Sequence, residues 1–235
     1  MARDHHAMPP RPSSPAADLQ LFELRSYRTR PGRRDELIAM FEAHFLDAYE
    51  RAGATIVATF TRHGEPDRWV WVRAFRSAAQ REEALAGFYG SPTWKRLAAA
   101  CNATIADVSD AWLLAPVPGG GTLAGWPVAT AASLIELSLF RLSAAAAPGF
   151  PALYAGRVLP ALDKAGAGPA ALLATPAEPP VDSRRPLRAG HWFASFSRVA
   201  SAAVHDAHRR ESAAAMPTPK AEHWLLEPTA RSALR

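Results

Sequence analysis

The feature that most constrains this chain is a return of register between its two halves. Asp110-Ala111-Trp112-Leu113-Leu114-Ala115-Pro116 is echoed by Glu222-His223-Trp224-Leu225-Leu226-Glu227-Pro228, and Trp112 and Trp224 stand 112 positions apart. Glu23 and Glu136, like Gly53 and Gly166, are 113 positions apart. A spacing regained after intervening loops of unequal length argues for a duplicated unit. The 235 residues leave room for two domains of about 100 residues each.

Each copy opens on a short apolar run. Alternation over 19–27 predicts a strand with Glu23, Arg25 and Tyr27 on one face. Residues 134–140 repeat it, with Ser138 and Phe140 standing where the first copy has Arg25 and Tyr27. After Pro31-Gly32, the spacing of Leu37, Met40, Phe41, His44, Phe45 and Ala48 predicts a helix over 33–51 with these residues on one apolar stripe. His44 then faces the core or a pocket between helix and sheet, and Gly53 closes the helix.

A strand over 54–62, a polar turn over 63–67 longer than the tightest hairpin, and a strand over 68–75 follow. Trp69, Trp71 and Phe75 read as a packing face. Ser77 predicts a helix cap, Ser91-Pro92 opens a further helical piece, and 108–115 forms the last strand. The second copy reads as a strand over 134–140, a helix over 148–162, strands over 170–175 and 192–199, a helix over 200–210 and a strand over 222–228. Phe196 is expected to answer Phe75. The expected divisions are a disordered tail over 1–17, a first domain over 18–115, a linker over 116–132 and a second domain over 133–230. A four-stranded antiparallel sheet with helices on one face leaves its other face bare. Two such domains cover each other by closing into a barrel-like pair.

Charge and motif content narrow the function classes. Residues 18–115 carry 13 basic and 13 acidic side chains, and 133–235 carry 12 and 8. The resulting excess is spread out rather than gathered into a block with interleaved aromatics, so nucleic acid is not an expected partner. The single cysteine, Cys101, permits no intrachain disulfide and reads as buried filler. No apolar run reaches membrane-spanning length, and 1–17 lacks the apolar stretch of a secretory signal, so a cytoplasmic protein without membrane insertion is the simplest account. Gly119-Gly120-Gly121 lacks the lysine and hydroxyl residue of a phosphate loop. His205 and His208 share a helix face, but no third ligand is evident, His191 included, so no metal site is expected. No motif calls for a cofactor.

The candidate catalytic residues are Arg25, Tyr27, His44, His63 and Arg81. A guanidinium fork holds a carboxylate or enolate. Histidine moves protons near neutral pH. A phenol stabilises a developing oxyanion. The same side chains have structural alternatives, with Arg81 pairing to Glu82 and Tyr27 packing at the sheet margin.

The run Phe22-Glu23-Leu24-Arg25-Ser26-Tyr27, then Pro31-Gly32, His63-Gly64, Val70-Trp71-Val72 through Ala74-Phe75, Arg81 and the segment from Phe88 to Trp94 together resemble the NIPSNAP family over roughly residues 20–112. The second half resembles the same fold in outline. The resemblance implies an α+β class: tandem ferredoxin-like domains with antiparallel sheets packed face to face as a pseudo-dimeric α/β barrel. It implies internal domain pairing, with a homodimer allowed but not required. It further implies a small organic molecule as partner and a cofactor-independent isomerase or monooxygenase acting on a polar keto or aromatic substrate. A noncatalytic ligand-binding or assembly protein, and a haem-binding protein, stay open beside it.

Overall fold

The computed structural model describes residues 18–124, 126, 134–166, 170–178, 187–216, 219 and 221–234. The tail expected over 1–17 lies outside the described residues. The first half runs β1 (Leu21–Thr29), α1 (Arg34–Met40), a π-helical segment (Phe41–Phe45), α2 (Leu46–Arg51), β2 (Thr55–Arg62), β3 (Glu65–Phe75), α3 (Ala78–Gly90), α4 (Pro92–Thr104) and β4 (Ile105–Pro116). The second runs β5 (Leu134–Leu142), α5 (Phe150–Lys164), β6 (Ala170–Ala174), β7 (His191–Val199), α6 (Ala202–Ala215) and β8 (Ala221–Pro228).

These strands close into one antiparallel barrel in the order β1-β3-β2-β8-β5-β7-β6-β4, with β4 returning to β1. The two half-sheets meet along short seams. One pairs Phe60 with Pro228 through Arg62 with Leu226, and the other pairs Ala115 with Ala174 and Pro116 with Leu173. Closure removes the sheet edges that each half would otherwise expose.

Period-two alternation divides every strand between two environments. Phe22, Leu24, Trp112, Leu137, Phe196 and Trp224 point into the barrel, whose interior is a continuous apolar cluster. The repeat-related Trp112 and Trp224 meet there edge to face, with ring centroids 5.8 Å apart. They occupy equivalent registers, Trp112 beside Leu24 and Trp224 beside Leu137. The opposite faces carry Trp69, Trp71 and Phe75 under α1–α4, and Phe140 and Phe193 under α5.

Side-chain caps set the helix starts. The Ser77 hydroxyl accepts from the Gln80 N–H, Ser91 from Trp94 and Ser201 from Val204. Gly53 and Gly166 end the equivalent helices with φ of 100° and 86°.

Four expectations need correction. The helix over 33–51 is interrupted by the π segment, whose wider turn rotates the residues after Met40. Leu37, Phe41, Phe45, Leu46, Ala48 and Tyr49 become the buried face, while His44 turns out to solvent. The β2–β3 turn has only two residues, His63 and Gly64, closed by the pair Arg62 and Glu65. The register then slips before Thr61 pairs with Trp69, so Pro66, Asp67 and Arg68 form the irregular part inside β3. A proline cannot donate to a ladder, which places the irregularity there. Phe75 is answered by Val199 rather than Phe196: Leu21 pairs with Phe75 as Leu134 pairs with Val199, and Phe196 faces the barrel interior. Finally, α6 continues beyond Arg210 to Ala215.

The described part of the 116–132 segment is packed rather than loose. Val117 donates its backbone N–H to Leu172, and Leu172 donates to Gly120, which prolongs the β4–β6 seam. Leu123 and Ala124 then bury themselves in the barrel cluster. Gly121 has φ 72°, and a Cβ there would lie 2.4 Å from the Ala170 carbonyl oxygen. Gly121→Ala should therefore destabilise the chain by about 1–3 kcal/mol, read as a lower urea midpoint. Val117→Ala, whose conformation alanine adopts freely, is the comparison.

Candidate functional site

A cavity of about 460 Å³ opens between the first half-sheet and its helices. β1 supplies Arg25 and Tyr27, and β3 supplies Trp69 and Trp71. Phe41, Phe45, Phe88, Tyr89 and Trp94 close it from the helices, with Cys101 and Asn102 from α4. The register explains the clustering: Tyr27 lies opposite Trp69, Arg25 opposite Trp71, and Glu23 opposite Arg73. Trp69 and Trp71 stack at 5.5 Å, and the Tyr27 ring meets both edge to face. The walls are thus flat aromatic surfaces, suited to a planar ligand.

The polar end of the cavity is fixed from behind by Glu23, which is fully buried. Its Oε1 accepts from Arg25 Nη1 at 2.6 Å and from Arg73 Nη2 at 2.5 Å, and its Oε2 accepts from Arg81 Nε at 2.9 Å. Arg73 also donates to the Tyr49 hydroxyl at 3.1 Å. Arg25 donates from Nε to the Tyr27 oxygen at 3.2 Å and from Nη2 to the Val108 carbonyl at 3.4 Å. A guanidinium has five N–H groups, so Arg25 retains donors beyond these contacts. Tyr27 accepts from Arg25, which leaves its own O–H to donate.

Burial opposes the charge on Glu23, but Arg73, Arg25 and Arg81 outweigh it and hold the carboxyl well below the usual range. Burial likewise opposes the Arg25 charge, but Tyr27 and Glu23 keep it firmly cationic. Burial raises the Tyr27 phenol. The Cys101 thiol is pushed up to about 11 by burial, so it is no thiolate nucleophile at neutral pH.

Of the sequence candidates, Arg25 and Tyr27 converge on the cavity. Arg81 is buried behind it as an anchor of Glu23. His44 is exposed on the helix, and His63 is exposed in the β2–β3 turn, where its N–H reaches the Leu225 carbonyl. Among the described residues no histidine lines this cavity, and they do not fit a haem held through a proximal imidazole. Asn102, Tyr49, Tyr89 and Trp94 were not singled out as site residues. The aromatic spacing around Phe41–Phe45 was the signal that could have drawn attention to that wall.

The second half builds a chemically different version of the same arrangement. Glu136 is buried at the position of Glu23, but the facing residue on β7 is Ser197 where β3 has Arg73. Histidines take the place of arginines: His205 Nδ1 lies 3.1 Å from Glu136 Oε2, His208 Nδ1 lies 3.0 Å from it, and His223 Nδ1 lies 3.5 Å from Oε1. Among the described residues, no group of three or more His, Cys, Asp or Glu side chains is arranged to hold a metal ion.

Burial raises the Glu136 carboxyl, but the neighbouring imidazoles of His205, His223 and His208 outweigh it and hold it at about 2. Both buried carboxyls are therefore depressed in the folded state. The stability they contribute is complete above the ordinary carboxylate range of about 4.5 and is lost as pH falls. For Glu136 the loss runs from about 4.5 down to about 2. An acid titration followed by near-ultraviolet circular dichroism should show signal loss beginning below about pH 4.5. Glu136→Gln should flatten the part of that loss due to this group.

No helix among the described residues is long and apolar enough to cross a membrane. No curated protein matches the chain by sequence. Solved structures do match along nearly its whole length. An anthrone oxidase-like protein is 14% identical with TM-score 0.62, covering 93% of this chain and 95% of that one. A provisionally named monooxygenase from Lactobacillus acidophilus NCFM is 11% identical with TM-score 0.55, covering 89% and 94%. Another from Fusobacterium nucleatum is 7% identical with TM-score 0.56, covering 89% and 92%. At these identities the likeness is one of fold. Sequence comparison is more specific for the first half, where residues 22–118 match the NIPSNAP family model: the half of the chain that carries Arg25, Tyr27 and the aromatic cavity is a NIPSNAP domain.

Proposed function

We propose that the first-half cavity binds a planar aromatic ketone or phenol as its anion and passes that anion to dioxygen without a cofactor. The observation that carries this reading is the pairing of Arg25 and Tyr27, side by side in an otherwise largely aromatic cavity. A guanidinium and a phenol O–H stabilise an enolate oxygen better than the neutral ketone it came from, which favours the reactive form. The proteins of like fold named a monooxygenase and anthrone oxidase-like are in keeping with it.

The balanced reaction is the conversion of a methylene conjugated with a ketone through the flanking aromatic rings to a carbonyl. The methylene loses a proton to solvent, and its electron pair becomes the enolate held by Arg25. One electron passes to dioxygen, and the two radicals combine to form a C–O–O bond. The peroxide takes a proton, the second C–H proton leaves, and the O–O bond breaks to give a C=O group and water. Dioxygen is the oxidant and the methylene carbon the reductant. Reprotonation of the same anion at another atom would instead give an isomer.

Oxygen uptake with anthrone as probe, alongside titration of the cavity tryptophan fluorescence, tests this. Uptake matched one-to-one by quinone formation supports the proposal. Saturable binding without uptake makes the cavity a ligand-binding site. Neither binding nor uptake across a panel of acidic aromatic ketones overturns it.

A further inference from the structure

The second half has its own cavity, of about 550 Å³, between β5, β8 and α6. Like the first it lies between sheet and helix, and Phe140 stands at the repeat position of Tyr27, but it opens on the β8 side of β5, with Ala221 and His223 on that neighbouring strand. Its polar groups differ. In the first half, Arg25 is paired with Ala111 across the β1–β4 ladder. In the second, Ser138 is paired with His223 across the β5–β8 ladder. The large side chain has moved from one strand of the pair to the other, and with it a guanidinium has become an imidazole.

We propose that this cavity is a second, independent site, in which His223 is the proton-transfer group for a small carboxylate carrying an enolisable ketone. His223 is held through Nδ1, 2.9 Å from Ser138 Oγ. Ser138 Oγ in turn donates to Glu136 Oε1 at 3.2 Å. Among the described residues, His223 makes its hydrogen-bonding contacts through Nδ1. Nε2 is then the nitrogen left for a ligand. This is the geometry of a base oriented by a second group.

Arg209 and Arg210 stand at the cavity wall with Ser212, and supply the cations a carboxylate needs. Phe140 and Met216 give it an apolar floor. In the proposed step Nε2 takes a proton from the carbon beside the ketone. The electron pair of the broken C–H bond moves to the ketone oxygen as the enolate. Return of a proton from Nε2 restores the ketone, so no oxidant or co-reactant is consumed.

The groups facing His223 are Glu136 and Ser138 from β5 and His205 and His208 behind them on α6. Asp206, Arg209 and Arg210 stand at the cavity, and the Tyr154 phenol on α5 feels the Glu136 charge. A pH profile of exchange therefore reads this cluster as a whole.

The test is exchange of the C3 protons of 4-phenyl-2-oxobutanoate in D2O, followed by proton NMR with the full chain. Wild type should exchange them well above the buffer rate. His223→Asn keeps an amide nitrogen where Nδ1 was and removes Nε2. It should lower exchange at least about 100-fold, the usual contribution of a general base. His223→Gln, which offers an amide near the Nε2 position without a basic nitrogen, should be equally slow. Melting curves identify any variant that fails to fold. Exchange at the buffer rate in wild type overturns the proposal, as does full activity in a folded His223→Asn protein. Because the probe reaction consumes no oxygen, its outcome is separate from that of the first cavity.

Discussion

Glu23→Leu should be among the most damaging single substitutions in this chain, costing about 3–5 kcal/mol in urea denaturation. The carboxylate is fully buried and meets Arg25, Arg73 and Arg81. Removing it leaves guanidiniums that stay charged at any ordinary pH, with Arg73 and Arg81 wholly out of water. A loss of this size is a large part of the roughly 5–15 kcal/mol that holds a domain folded. Glu136→Leu should cost less, about 1–3 kcal/mol at neutral pH, because the imidazoles left behind can be neutral. Equal losses in the two variants would contradict the view that arginine and histidine surroundings distinguish these positions.

Arg25→Met should lower oxygen uptake by about 10²–10³-fold while leaving a folded protein, because it removes a cation aimed at the developing oxyanion. Glu23 keeps Arg73 and Arg81 as partners in this variant, so the buried carboxylate is not abandoned. The loss should fall mainly on kcat, since Trp69, Trp71 and Phe41 still hold a planar ligand. Arg25→Lys should recover only part of it, because an ammonium cannot contact Glu23, Tyr27 and the ligand with one planar fork. An unchanged rate for Arg25→Met would remove Arg25 from the chemistry and with it the proposed oxygenation.

Much of this arrangement is legible in the sequence, and the exceptions have identifiable causes. Strand alternation placed Glu23, Arg25 and Tyr27 on one face, and that face does line or support the cavity. The Trp112–Trp224 echo correctly matched β4 to β8. His44 escaped because regular 3.6-residue periodicity contains no sign of a π segment, and one wide turn is enough to move a side chain from core to solvent. Phe196 was matched to Phe75 by residue type, whereas the register puts Val199 there, three residues on, and an odd offset in a strand reverses the face. The histidine cluster stayed hidden for another reason. His205 and His208 were visible as a helix pair, but nothing local says that α6 lies over Glu136 or that β8 brings His223 beside Ser138. Those contacts are made by chain closure, between residues up to 87 positions apart.

The barrel joins its two half-sheets within a single chain through the segment that begins at Val117 and buries Leu123. That covalent join has a consequence for chemistry. In a symmetric pair of identical subunits, any side chain introduced at one site appears at the other, so a change must suit both. Here the two sites are free of that constraint. One buried glutamate can be ringed by permanent cations and the other by titratable rings, within the same barrel and at the same register. The fusion lets one architecture present two unlike polar environments in fixed one-to-one ratio.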